Sequence, residues 1–363
     1  MSAESDPSPP ASIVALEDDA GFWDDRATIA ACLREAVPRL PPWFGYDERG
    51  SQLFESITEL PTYYLTRAER GLLERHAAQI AQLVGGQVAE LGSGSAKKTG
   101  LLLRQCAARG ATTYFPVDVS REMLLSSGTS LRPQIPGLTV IGLWGRYEAG
   151  LAWLSDAGNR ADEPLVVAFL GSSLGNTTPA ERDALLTRIA ETLRPGDGFL
   201  VSVDLLKPAA TFETCYNDPP GRSVFAEFRL NYLTHLNRRF AADFDLGSFI
   251  PRAHYKTRDT VVEGHLYSTR EHLVRVPGLG MTLQFRAGDS INVGFSAKFE
   301  ADRFVADLAD LGLTQQACWT DAHLAYGIFL FRRTASSLGN SAQGNGPRIG
   351  VPGGRGMSPT RRR

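Results

Sequence analysis

Gln87-Val88-Ala89-Glu90-Leu91-Gly92-Ser93-Gly94-Ser95 reads as a short strand that runs into a turn built on two glycines. Lys98 to Ala107 (KTGLLLRQCA) reads as the helix that follows. Strand, glycine turn and helix in that order form a setting in which main chain can hold a nucleotide-bearing cofactor. Outward from it, TYFPVDVS (113–120) is a second strand that ends on an acid, and REMLLSS (121–127) opens a second helix. LTVIGLW (138–144), LVVAFLGSS (165–173) and GFLVSVDLL (198–206) are further near-continuous apolar runs. Helical stretches flank them, such as PAERDALLTRIAETL (179–193), and residues 68–83 carry Leu72, Leu73, Ala77, Ile80 and Leu83 at helical spacing. Apolar strands alternating with helices predict an α/β fold: a Rossmann-like, mostly parallel sheet with helices on both faces.

From about residue 206 the pattern changes. Residues 211–240 read as largely helical, whereas 254–276 and 281–299 alternate like antiparallel strands, with turns at PGLG (277–280) and RAGD (286–289). Residues 16–67 and 206–297 are therefore expected to form a smaller α+β substrate-binding lobe. Residues 68–205 and 298–334 are expected to form the cofactor-binding domain, closed by ADRFVADLADLG (301–312) and a last strand pair. The segments 1–15 and 335–363 are rich in Ser, Pro, Gly and polar residues and are expected to be disordered.

Composition excludes several classes. Of 363 residues 43% are hydrophobic and 21% charged, with a net charge of -2, so the chain lacks the basic excess of a typical nucleic-acid binder. No apolar stretch reaches membrane-spanning length, and the first residues carry no basic-then-apolar export signal, which predicts a cytoplasmic protein without a membrane partner. Cys32, Cys106, Cys215 and Cys318 show no metal-ligand spacing, and the six histidines form no HExxH pair, so neither a metal site nor a disulfide framework is expected.

Within the turn, Gly92 and Gly94 would hold the cofactor, with Glu90 set against its ammonium end. Ala96 and Lys97 stand where the last glycine region of a GxGxxG loop would fall, which weakens the case for a pyrophosphate. Asp118, at the end of the second strand, is placed to accept from two ribose hydroxyls. These features alone leave S-adenosylmethionine and a dinucleotide both open.

Three more segments narrow the choice: Tyr46-Asp47-Glu48-Arg49-Gly50-Ser51-Gln52-Leu53-Phe54-Glu55, Leu60-Pro61-Thr62-Tyr63-Tyr64-Leu65-Thr66-Arg67-Ala68-Glu69, and Phe169-Leu170-Gly171-Ser172-Ser173-Leu174-Gly175-Asn176. With ELGSGSAKKT (90–99) and FSAKF (295–299), in this order from about residue 40 to 331, they resemble the histidine Nα-methyltransferases of ergothioneine biosynthesis. Fungal enzymes that methylate tryptophan-type amino acids are relatives of that family. The resemblance implies a class I methyltransferase domain that uses S-adenosylmethionine, and a family-specific substrate lobe. It assigns Gly92 and Asp118 to the cofactor, along with Lys98, Arg146 and Tyr147. It assigns Asn176 and Tyr216 to the substrate carboxylate, Tyr46 and Tyr63 to positioning in the amino-acid pocket, and Ser296 to reading the side chain. An amide N–H and a phenol O–H can donate to a carboxylate without placing a cation beside a sulfonium. Methyl transfer by in-line displacement needs alignment and a deprotonated amine rather than a strong base, so no acid/base residue is assigned.

Three positions depart from the resembled enzymes. Gly294 stands where they carry a glutamate that pairs with imidazole, Gly264 where they carry a methionine, and Arg146 where an acid accepts from adenine. The two glycines predict a roomier, more apolar pocket, and hence tryptophan or a substituted tryptophan as the small-molecule partner. Histidine stays the alternative if another acid, such as Glu263 or Asp289, reaches the ring. Arg146 and Gly294 also leave room for a catalytically degenerate amino-acid-binding homologue. No obligate protein partner is evident.

Overall fold

The computed structural model describes residues 12–16 and 25–334. Its large sheet has eight strands in the order β1-β4-β3-β2-β5-β6-β13-β12. These are β1 (Ser12–Ala15), β2 (Gln87–Leu91), β3 (Thr112–Asp118), β4 (Leu138–Trp144), β5 (Leu165–Phe169), β6 (Gly198–Asp204), β12 (Leu313–Asp321) and β13 (Tyr326–Arg333). β1 to β6 run parallel, and β13 pairs antiparallel to both β6 and β12. Every residue of β2, β5 and β6 is buried, because helices cover both faces of the sheet. The parallel α/β expectation therefore holds, with an antiparallel pair at one edge.

β1 corrects the expectation for the N-terminus. Ser12 to Ala15 pair with Ile141 to Trp144, so this short segment lengthens the sheet rather than lying in a disordered tail. The remainder of the expected tails, at 1–11 and 335–363, lies outside the described residues.

β2 lies between β3 and β5. The chain winds one way from β2 to β3 and the other way from β2 to β5. That reversal opens a crevice at the carboxyl ends of these strands, where open α/β sheets bind ligands. The helices around it are α3 (Leu65–Leu83), α4 (Thr99–Ala107), α5 (Arg121–Leu131), α6 (Tyr147–Ser155) and α7 (Pro179–Thr192).

A second core joins distant parts of the chain. Ile29 and Leu33 on α1 (Arg26–Leu33) cluster with Leu40 and Phe44, and with Leu233, Leu236 and Phe240 on α9 (Val224–Phe240). α9 lies over a three-stranded antiparallel sheet of β7 (Phe249–Lys256), β8 (Val261–Ser268) and β11 (Ser290–Ala297). β9 (His272–Val276) and β10 (Met281–Phe285) form a separate hairpin closed at PGLG. RAGD does not close a hairpin, because β11 pairs with β8 and not with β10.

Candidate active site

The glycine turn follows β2 as expected. Gly92 and Gly94 take positive φ (69° and 48°), which suits glycine. Ala96 also sits at positive φ (50°), so the third turn position keeps glycine-like backbone with an alanine side chain. The Tyr147 hydroxyl lies 2.8 Å from where a Cβ on Gly92 would stand, so that tyrosine spans the turn. Asp118 ends β3 and accepts from the amides of Gly94 (2.8 Å) and Ser120 (2.9 Å), one on each carboxylate oxygen. Each oxygen keeps a lone pair for a further donor.

Two expected cofactor residues, Glu90 and Lys98, also bind protein groups. Glu90 points beneath the turn, where it accepts from Thr99 (2.5 Å) and from Tyr114. Burial pushes its carboxyl up to about 7, and its two donors tie the turn to α4 and β3. The Lys98 ammonium pairs with Glu69, a fully buried carboxylate on α3. Glu69 also accepts from the Gly171 amide (2.6 Å), the Ser202 hydroxyl (2.5 Å) and Tyr326 (3.2 Å). Burial opposes its charge, but Lys98 and these donors outweigh that and hold it below the ordinary range. α3, the glycine turn and the loop after β5 are thus fixed to one another. Arg146 is exposed at the residue before α6.

The loop after β5 carries Asn176. Gly171 (φ 82°) and Ser172 (φ 55°) both adopt left-handed backbone there, and the buried Ser172 hydroxyl accepts from the Asp204 amide (3.1 Å). Gly175 lets the loop press against β11, since a Cβ on it would stand 2.8 Å from the Ala297 carbonyl oxygen. Asn176 then lines a cleft of about 320 Å³ together with Gly294, Phe295 and Asn292.

Beside this, aromatic rings cluster. Tyr46 packs edge-on to Phe54 (5.3 Å) and Phe228 (5.5 Å), and Tyr63 to Tyr216 (6.1 Å) and Phe225 (6.0 Å). Beneath them lies a buried polar centre that the sequence motifs do not announce. Asp204, at the end of β6, pairs with Lys207 and with Lys298 (2.9 Å) and accepts from the Tyr64 hydroxyl (2.8 Å). Lys298 donates to both Tyr216 (2.7 Å) and Ser296 (2.8 Å), whose hydroxyls are 2.9 Å apart. Tyr216 and Ser296, expected at opposite ends of a substrate, therefore meet at one point. With one hydroxyl donating to the other, a single O–H remains for a ligand acceptor.

Comparison with known proteins decides what this arrangement serves. The model of the family described as histidine-specific methyltransferase, SAM-dependent, matches residues 25–333. This chain belongs to that family. It is 36% identical over 317 residues to the histidine N-alpha-methyltransferase of Mycobacterium tuberculosis, covering 87% of this chain and 97% of that one. It is 37% identical over 309 residues to the enzyme of the same name from Mycolicibacterium smegmatis, covering 84% and 94%. The L-tryptophan methyltransferase of Psilocybe serbica is 27% identical over 319 residues, covering 81% and 88%. The methyltransferase is S-adenosylmethionine-dependent and acts on an amino-acid nitrogen. Among the described residues no histidine, cysteine, aspartate and glutamate cluster could hold a metal, and no helix is long and apolar enough to cross a membrane.

The crevice suits that cofactor. A Cβ at Gly94 would meet no atom within 4 Å, so the turn leaves its surface open. We propose that Asp118, half-buried at the end of β3, accepts from the ribose hydroxyls. Asp118→Ala is expected to weaken S-adenosylhomocysteine binding by about 1.5–3 kcal/mol, the worth of hydrogen bonds to a charged acceptor. Calorimetric titration measures it, and unchanged affinity would remove Asp118 from the site.

Proposed function

We propose that this methyltransferase acts on the α-amino nitrogen of L-histidine. Arg229 carries the choice against a larger indole. The apolar space expected beside Gly264 and Gly294 contains its guanidinium: Nε lies 2.9 Å from where a Cβ on Gly264 would stand. Arg229 is 6% exposed on α9, so the pocket end is neither enlarged nor apolar. The expectation of tryptophan, built on the two glycines alone, gives way. Two relatives named for histidine, each aligned over more than nine-tenths of its own length, support the same direction.

S-adenosylmethionine supplies an electrophilic methyl group when bound in the crevice. The chain's own residues align the acceptor. The Asn176 amide and the free O–H of the Tyr216–Ser296 pair hold the carboxylate, and the Tyr46 and Tyr63 rings flank the amino acid. With the carboxylate and side chain both fixed, the neutral amine has one orientation toward the glycine turn, so alignment supplies most of the catalysis. Glu263 lines the same cleft as Asn176 and Gly294 but is already paired with protein groups. It is bound to Lys256 (2.5 Å) and His265 (2.9 Å), and Asp289 accepts from the Arg286 amide (2.7 Å).

Competition of histidine against tryptophan in a single reaction tests the reading. The expected ratio of kcat/KM favours histidine by about tenfold or more, the scale on which a site with hydrogen-bonding groups rejects an unmatched side chain. A preference for tryptophan would restore the indole reading and leave the family assignment untouched.

A further inference from the structure

Arg229 Nε lies 2.9 Å from where a Cβ on Gly264 would stand, at the end of the pocket proposed above. Gly264 on β8 is paired with Gly294 on β11, and a Cβ on either would stand 3.6 Å from the other's Cα. Neither strand contributes a side chain at this point, so the guanidinium is the group presented there. Ser296, two residues along the same strand and on the same face, carries the hydroxyl that meets Tyr216. Arg229 also donates to the Tyr216 carbonyl (2.5 Å) and lies over the Phe225 ring (5.1 Å to its centroid), which ties it to the aromatic cluster.

Its charge has no carboxylate partner among the described residues. Asp218, the near acid, uses its two oxygens on the Phe225 and Ala226 amides (2.8 Å each) to start α9. Glu263 belongs to Lys256 and His265 on the other face of β8. Burial draws the Arg229 pKa down to about 10, which still leaves a cation at neutral pH. Most of the five N–H groups of this largely buried side chain are uncommitted and can donate to a bound acceptor.

We propose that Arg229 is the specificity-determining residue for the substrate side chain, reading it as a hydrogen-bond donor and so selecting a side chain that ends in an acceptor. This rests on the amino-acid pocket described above and deepens it. Neutral imidazole offers one ring nitrogen as acceptor, a carboxylate offers two oxygens, and indole offers none. The polarity is opposite to that of a glutamate reading an imidazole N–H.

Histidine analogues test this on the unaltered protein. β-(Pyrazol-1-yl)-L-alanine keeps a ring acceptor and has no ring N–H, whereas β-(2-thienyl)-L-alanine has neither. The pyrazole analogue is expected to be methylated with kcat/KM within about threefold of histidine, and the thienyl analogue about tenfold or more worse. Equal use of the two analogues, or rejection of both, would overturn the assignment. Arg229→Met is then expected to lower kcat/KM for histidine by about tenfold or more and to raise it for tryptophan, with Arg229→Lys retaining part of the preference. Unchanged S-adenosylhomocysteine affinity shows that each variant is folded. An equal loss for every amino acid would reduce Arg229 to a prop for Tyr216. The two readings fail separately. Methylation of glutamate or aspartate in place of histidine sinks the histidine reading and supports Arg229. Histidine methylation unaltered by Arg229→Met does the reverse.

Discussion

Asp204→Ala is expected to lower stability by about 3–5 kcal/mol, because it leaves two buried ammonium groups without their counter-charge. Asp204 and Lys298 side chains are fully buried and Lys207 is nearly so. No water can replace the lost anion cheaply, and the two cations then repel each other. The damage reaches the site. Lys298 orders the Tyr216 and Ser296 hydroxyls, and without Asp204 nothing fixes its ammonium beneath them. Scanning calorimetry should show a fall in Tm on the order of 10 °C for a chain of this size, accompanied by loss of turnover. A shift of less than about 2 °C would mean that the centre is not the buried ionic cluster described here.

Gly50→Ala is expected to cost about 3 kcal/mol or more, at the upper end for overpacking. A Cβ on Gly50 would collide with the Gly45 carbonyl oxygen, and both partners are backbone that no rotamer change can move. Gly50 lies in the first turn of α2 (Glu48–Thr58), which Asp47 caps by accepting from the Gly50 amide (2.9 Å). Asp47 also accepts from Asn231 (2.7 Å) and Arg238 (2.7 Å), fastening this turn to α9. Separating the turn from the helix displaces Tyr46, so KM for the amino acid should rise along with the loss of Tm. A variant with wild-type melting and wild-type KM would show that the turn tolerates the methyl group.

The sheet was legible because its strands are continuous apolar runs, and the crevice because a glycine turn and a strand-terminal acid bracket it. β1 was hidden in a polar, proline-rich setting, where only pairing to β4 makes four residues a strand. The turn at Gly92 and Gly94 and the place of Asp118 at the end of β3 were readable from local pattern. The protein partners of Glu90 and Lys98 were not legible, because Tyr114 and Glu69 come from other elements. Glu69 did leave a signal: a carboxylate between Leu65 and Leu73 on the apolar stripe of α3 has to be buried. Asp204, a charge at the end of the run GFLVSVD, left a similar one. Arg229 left none. Its meaning depends on two glycines on β8 and β11 being brought opposite it, and removing side chains from one wall says nothing about what enters from another.

Transfer of an isotope-labelled methyl group from S-adenosylmethionine to L-histidine, with the product's label located by fragmentation mass spectrometry, tests the central claim most directly. Label on the α-amino nitrogen, lost with that group and absent from the imidazole fragment, is the predicted result. Label on a ring nitrogen, or no transfer to histidine while another amino acid is methylated, would contradict it.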